Sequence, residues 1–123
     1  MCGIVSVWLK RESISPLALE SSLAALEHRG PDGKNFWIST DMHIGLGHTR
    51  LSITGVNNGN QPLCNPENEI YAVVNGEFYD YVELKESYQR KGYQFLTETD
   101  SEILIPIYLE HGLNMFEHLN GEF

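Results

Sequence analysis

Basic residues are scarce in this chain. Eight lysines and arginines stand against seventeen aspartates and glutamates, a formal net charge of −9 over 123 residues. No basic stripe appears, which argues against a general affinity for nucleic acid or for an anionic membrane. The acidity reads as a solvated surface that keeps the chain soluble. Cysteine is equally sparse, with only Cys2 and Cys64 and no CxxC, His-rich tract or HExxH. Neither a disulfide framework nor a structural zinc site is suggested. No apolar run approaches the ~20 residues that span a bilayer. "MCGIVSVWLK" meets charge at Lys10 and Arg11 too soon for a signal peptide. What remains, at 41% hydrophobic and 20% charged residues, is one small soluble domain over residues 1–123, expected in a reducing cytoplasm.

The pattern that is present alternates strands and helices. Residues 4–9, "IVSVWL", are β-branched and aromatic and read as a buried strand. Ser15 as N-cap, Pro16 at the first helical position and Gly30 as stop delimit a helix with Leu17, Leu19, Leu23, Ala24 and Leu26 along it. "RGPDG" must then turn. Strands follow around "NFWIST" and "HIGLGHTRLSI", then a polar loop, "TGVNNGNQPLCNPENE". "IYAVVNGEFYD" reads as a strand running into a turn at Asn75-Gly76, "YVELKESYQRKG" as a helix stopped by Gly92, and "YQFLT" as a short strand. In "DSEILIPIYLEHG", Asp100 or Ser101 caps an apolar run that Pro106 should kink or split. The strands near residues 35–54 carry no helix between them, which favours an α+β architecture over a purely parallel sheet. "LNGEF" opens an element at the end of the chain that would have no partner, so a truncated domain is expected.

Several residues invite a chemical reading beside a plain one. Cys2 is either a small buried hydrophobe at a strand start or, once Met1 is removed, an N-terminal nucleophile. Its α-amine near pKa ~8 would then lie beside its own thiol near ~8.5 and could serve as general base. Asn75-Gly76 is by itself a tight-turn signal. An asparagine NH2 and a glycine N–H can also converge on a developing oxyanion, and a glycine lets substrate approach the backbone. Arg50 lies in an otherwise apolar strand and needs an acid or a ligand carboxylate. Asp100 reads equally as a helix cap or a ligand group, and Glu77 could face solvent. A substrate with both an α-carboxylate and an α-amine needs one cation and one or two anions, and Arg50, Glu77 and Asp100 supply that set. His28, His43, His48, His111 and His118 show no metal-ligand spacing and read as structural or solvated. Cys64 reads as a buried or half-buried free thiol.

"MCGI", "LEHRGPDG", "LGHTRLSI", "GNQPL", "VVNGEFYD" and "TETDSEIL" occur in that order. In this combination the chain resembles the class II, N-terminal-nucleophile glutamine amidotransferase domain of glutamine-hydrolysing asparagine synthetases, over essentially its whole length. "HRGPDG" resembles the asparagine synthetase branch; relatives that feed ammonia to phosphoribosyl pyrophosphate or fructose 6-phosphate usually depart there. The resemblance implies a four-layer αββα sandwich of two antiparallel sheets, incomplete here. It implies Cys2 as nucleophile, Asn75 and Gly76 as oxyanion hole, Arg50 on the glutamine α-carboxylate, and Glu77 and Asp100 near its α-amino group. It places the backbone of Leu51, Ser52 and Ile53 against the substrate and "HRGPDG" in a loop near the glutamine pocket. The implied partners are glutamine and a synthetase domain in the full-length chain; a homodimer is left open, and neither nucleic acid nor membrane is implied. No cofactor is expected in this domain, ATP and Mg2+ being expected in the synthetase domain, whose Ser-Gly-Gly-Leu-Asp-type loop is absent. Three other readings stand beside this one: a non-catalytic fragment or interaction module, an amidotransferase serving a different ammonia acceptor, and a cysteine hydrolase of another amide.

Overall fold

Three strand-forming runs, GIVSVW, GKNFWI and IGLGHTR, lie in the first fifty positions, and a three-stranded antiparallel sheet results. The computed structural model describes residues 2–52 and 58–123. Its elements in chain order are β1 (Gly3–Trp8), α1 (Pro16–Ala25), β2 (Gly33–Ile38), β3 (Ile44–Arg50), β4 (Leu63–Cys64), β5 (Tyr71–Ala72), β6 (Glu77–Phe78), α2 (Tyr81–Arg90), α3 (Leu104–His111) and β7 (Gly121–Glu122). Short 3-10 segments lie at Glu27–Arg29, Asp100–Ile103 and Gly112–His118. The described residues are α+β with small antiparallel sheets, and they form two compact units. None of their helices is long and apolar enough to cross a membrane.

The first unit holds residues up to Ser52 together with Asn60–Pro62 and Val73–Asn75. β3 is its central strand. It pairs with β1 from Gly3↔Thr49 to Trp8↔Ile44, and with β2 from Gly33↔Arg50 to Ile38↔Gly45. Because side chains alternate across a strand, Gly45, Gly47 and Thr49 share one face. α1 lies on that face, burying Leu19 and Leu23 with Ile14. Glycine at 45 and 47 makes this approach possible, since an added Cβ would lie 3.3 Å from a Leu19 methyl and 3.0 Å from a Leu23 methyl. On the opposite face Ile4, Trp8 and Ile44 are exposed.

Among the described residues the second unit contains 58–59, Leu63–Ala72 and Gly76–Phe123. Its core is Leu63, Phe78, Tyr88, Ile103, Leu104, Ile105 and Ile107. β4 pairs with β5, and β6 with β7. The closing "LNGEF", expected to lack a partner, therefore finds one in Glu77–Phe78.

Local departures from the sequence reading have identifiable causes. The first helix ends at Ala25 rather than running to Gly30; a 3-10 turn continues it, and Ser15 makes no side-chain cap bond. "YQFLT" forms no strand, because the Leu96 and Thr97 amides donate to the Glu102 carboxylate at 2.7 and 2.6 Å instead of to a neighbouring strand. The strand expected over "IYAVV" is paired only at Tyr71–Ala72. Neither Asp100 nor Ser101 caps a helix, since both lie inside the 3-10 segment that precedes α3. Pro106 does divide that apolar run: it sits in the first turn of α3, where its missing N–H costs little, and the stretch before it is 3-10.

Candidate active site

Cys2 is half-buried, and every polar group it owns is engaged within the first unit. Its N–H donates to Asn75 Oδ1 at 2.7 Å. Its carbonyl accepts from Arg29 Nε at 3.0 Å. The Leu51 amide donates to Sγ at 3.3 Å, while the thiol lies 3.8 Å from the Leu51 carbonyl oxygen. The next residue is held as firmly, the Gly3 amide donating to Thr49 Oγ1 and that hydroxyl donating to the Leu26 carbonyl, both at 3.1 Å. A side chain at position 3 would collide with that same hydroxyl at 2.6 Å.

The Asn75 amide is oriented by this arrangement. The group facing Cys2 N–H has to be the acceptor, so Oδ1 occupies that side and the NH2 donor points away from the Cys2 nitrogen. One amide thus holds the Cys2 nitrogen and presents two N–H donors elsewhere.

"HRGPDG" works as a clamp. Arg29 takes the Cys2 carbonyl. The Asp32 amide donates to the Arg50 carbonyl at 2.9 Å, and the Asp32 carboxylate accepts from the Ser52 amide at 2.8 Å. Gly30 packs against the Thr49–Arg50 backbone with no room for a Cβ. The end of β3 and the Leu51–Ser52 segment after it are therefore pinned beside Cys2.

Arg50 is buried, and its guanidinium donates to Asn60 Oδ1 at 3.4 Å. With Asp32, Asn35, His48, Asn60 and Gln61 it lines a cavity of about 180 Å³, whose lining does not include Cys2. His48 is 1% exposed. Burial, with a smaller contribution from the Arg50 charge, pulls its imidazole down to about 4 against the opposing pull of a hydrogen bond to the Val74 backbone.

The other expected site residues lie in the second unit. Glu77 is exposed on β6 opposite Glu122. Asp100 is buried, its carboxylate accepting from the Phe78 amide at 2.9 Å and from the Thr99 hydroxyl at 3.2 Å. The close approach that glycine permits at position 76 is made by the chain's own end: an added Cβ would lie 2.5 Å from Phe123 Cβ and 2.6 Å from the Glu122 carbonyl oxygen. Ile53 lies outside the described residues. Cys2 thus contacts both Leu51 and Asn75, whereas Gly76, Glu77 and Asp100 are placed within their own unit. Arg29, Asp32, Thr49 and Gln61 carry contacts that sequence reading did not assign; the motifs "HRGPDG" and "GNQPL" were visible, but not the partners of their side chains. Cys64 is a half-buried free thiol, pushed up by burial and by the Glu102 charge.

The site thus centres on Cys2, with its sulfur on the Leu51 amide and its nitrogen on the Asn75 side chain. Residues 1–123 match the glutamine amidotransferase domain family, and the chain belongs to it. Among its relatives, asparagine synthetase [glutamine-hydrolyzing] 1 of Bacillus subtilis is 36% identical over all of this chain and 20% of its own length. The probable asparagine synthetase [glutamine-hydrolyzing] of Schizosaccharomyces pombe is 38% identical, again over the whole chain and 22% of the relative. Amidase chry2 of Gibberella zeae is 45% identical over 85% of this chain and 16% of its own length. The chain thus spans about a fifth of the curated relatives it matches.

Proposed function

We propose that this chain carries out the glutaminase half-reaction of an asparagine-synthetase-like enzyme, within a four-layer αββα sandwich. The observation that carries this reading is the Cys2 environment, with sulfur against the Leu51 amide and nitrogen on Asn75 Oδ1. Removal of Met1 frees the α-amine, which takes the thiol proton. The thiolate attacks the side-chain amide carbon of glutamine. Asn75 Nδ2 and the Gly76 amide stabilise the tetrahedral oxyanion, a contribution of order ~3 kcal/mol per donor. The resulting α-ammonium returns its proton to the leaving nitrogen, the C–N bond breaks, and ammonia departs. Water then attacks the γ-glutamyl thioester, giving glutamate and restoring the thiol. Arg50 receives the substrate α-carboxylate, Glu77 and Asp100 its α-ammonium, and the backbone of Leu51, Ser52 and Ile53 lines the side chain. The ammonia passes to a synthetase domain that uses ATP and Mg2+ to make asparagine from aspartate.

The test is intact mass spectrometry with diazo-oxo-norleucine, an electrophilic glutamine analogue. Loss of Met1 with one adduct on Cys2, and loss of glutamine hydrolysis in Cys2→Ala, are expected. Undiminished hydrolysis in Cys2→Ala would sink the assignment. A second reading is favoured by the two amidases, of Gibberella zeae and Penicillium rubens, at 45% and 43% identity: the same Cys2 chemistry on a different amide or with a different ammonia acceptor. Adduct formation with a non-amino-acid amide electrophile, but not with the glutamine analogue, would select it.

A further inference from the structure

Beyond Ala72 the chain leaves its paired strand, and the backbone of buried Val74 needs other partners. A side chain supplies one. The Val74 amide donates to Gln61 Oε1 at 2.7 Å. Gln61 is 6% exposed, so the bond is shielded from water. Val74 is peptide-bonded to Asn75, whose Oδ1 accepts from Cys2 at 2.7 Å. All of these residues belong to the first unit.

We propose that Gln61 is a positioning residue for Asn75: by holding the Val74 amide it fixes where the Asn75 side chain stands on Cys2. This rests on the glutaminase reading for its kinetic consequence, though not for its geometry. A single hydrogen bond sets the backbone one residue before the oxyanion donor. Without that bond the buried amide must seek water or another acceptor, and the backbone has to move for it to find one. Reacting groups misplaced by about 1 Å can lose ~100-fold in rate. Arg50, the residue proposed to receive the substrate α-carboxylate, is itself left unchanged.

The test compares Gln61→Met, which keeps side-chain length but has no oxygen, with Gln61→Glu, which can accept the same N–H in either protonation state. In the full chain, Gln61→Met should lower kcat for glutamine hydrolysis about 10- to 100-fold with KM within about twofold, and Gln61→Glu should recover most of it. Gln61→Met that loses thermal stability but keeps wild-type kcat overturns the proposal, as does Gln61→Glu that folds yet is no better than Gln61→Met. A second readout needs no turnover. In 15N-labelled chain, Gln61→Met should speed hydrogen exchange at the Val74 amide and shift the Asn75 side-chain NH2 resonances, and no change in either overturns the proposal. Wild-type chain that neither hydrolyses glutamine nor takes the electrophile would refute the glutaminase reading, and the resonance readout would still decide Gln61.

Discussion

His48 makes the stability of this fold depend on pH in a predictable direction. Its imidazole is buried to 1% exposure beside Arg50, and taking a proton there would place a cation in a dry site next to another. The pKa falls from 6.5 to about 4, chiefly through burial. Because the folded-state value is the lower one, the unfolded chain binds more protons between those limits, and stability rises with pH. The contribution is complete above about pH 6.5 and is lost as pH falls toward about 4. At ~1.4 kcal/mol per pH unit this gap is worth about 3 kcal/mol. Aspartates and glutamates also titrate in acid, so the measurement has to be differential. His48→Gln keeps a polar side chain of similar length but does not titrate. Urea unfolding of both proteins from about pH 7.5 to about pH 4 should show the wild type losing about 3 kcal/mol more than the variant. Parallel losses, within about 0.5 kcal/mol, would refute the argument.

Three other perturbations follow from single contacts. Gly30→Ala forces a methyl into the Thr49–Arg50 backbone; a loss of about 3 kcal/mol is expected from such overpacking, and an unchanged melting temperature would contradict it. Glu102 is fully buried and accepts from the Leu96 and Thr97 amides and the Thr97 hydroxyl, so Glu102→Ala should cost ~2–4 kcal/mol in urea unfolding while Glu102→Gln costs less. Cys2→Ala should abolish both the glutamine-analogue adduct and hydrolysis with unfolding unchanged within about 0.5 kcal/mol, since the lost sulfur is only half-buried; retained hydrolysis would show that another group is the nucleophile.

Where local rules govern, the sequence was readable. Pro16 starts α1, Gly92 follows α2, and the alternation around Gly45–Thr49 is that of a strand with one face packed on a helix. The reading failed where a side chain took over the role of a neighbouring strand. "YQFLT" has strand composition, yet Glu102, five and six residues further on, binds the two amides that a ladder would have used. The same substitution shortens the strand before Asn75, where Gln61 takes the Val74 amide. Aromatic and β-branched composition reports how well a surface fits a sheet, and not which acceptor reaches an amide first.

The site shows the same division more sharply. Cys2 draws its partners from Arg29, Leu51 and Asn75, which are 27, 49 and 73 residues away. Periodicity relates residues a few positions apart and is blind at that range. The order of the motifs is what singled out Cys2 and Asn75 as candidates, through resemblance. It could not say that Arg29 holds a carbonyl, that Asp32 holds the amide of Ser52, or that Gln61 stands behind Asn75. Those residues share a physical character: each satisfies a backbone group of a segment that carries chemistry, so its own side chain makes the contact while another residue presents the reactive atom. Substituting them should therefore move rate constants without changing which group is alkylated, and that separates them experimentally from Cys2.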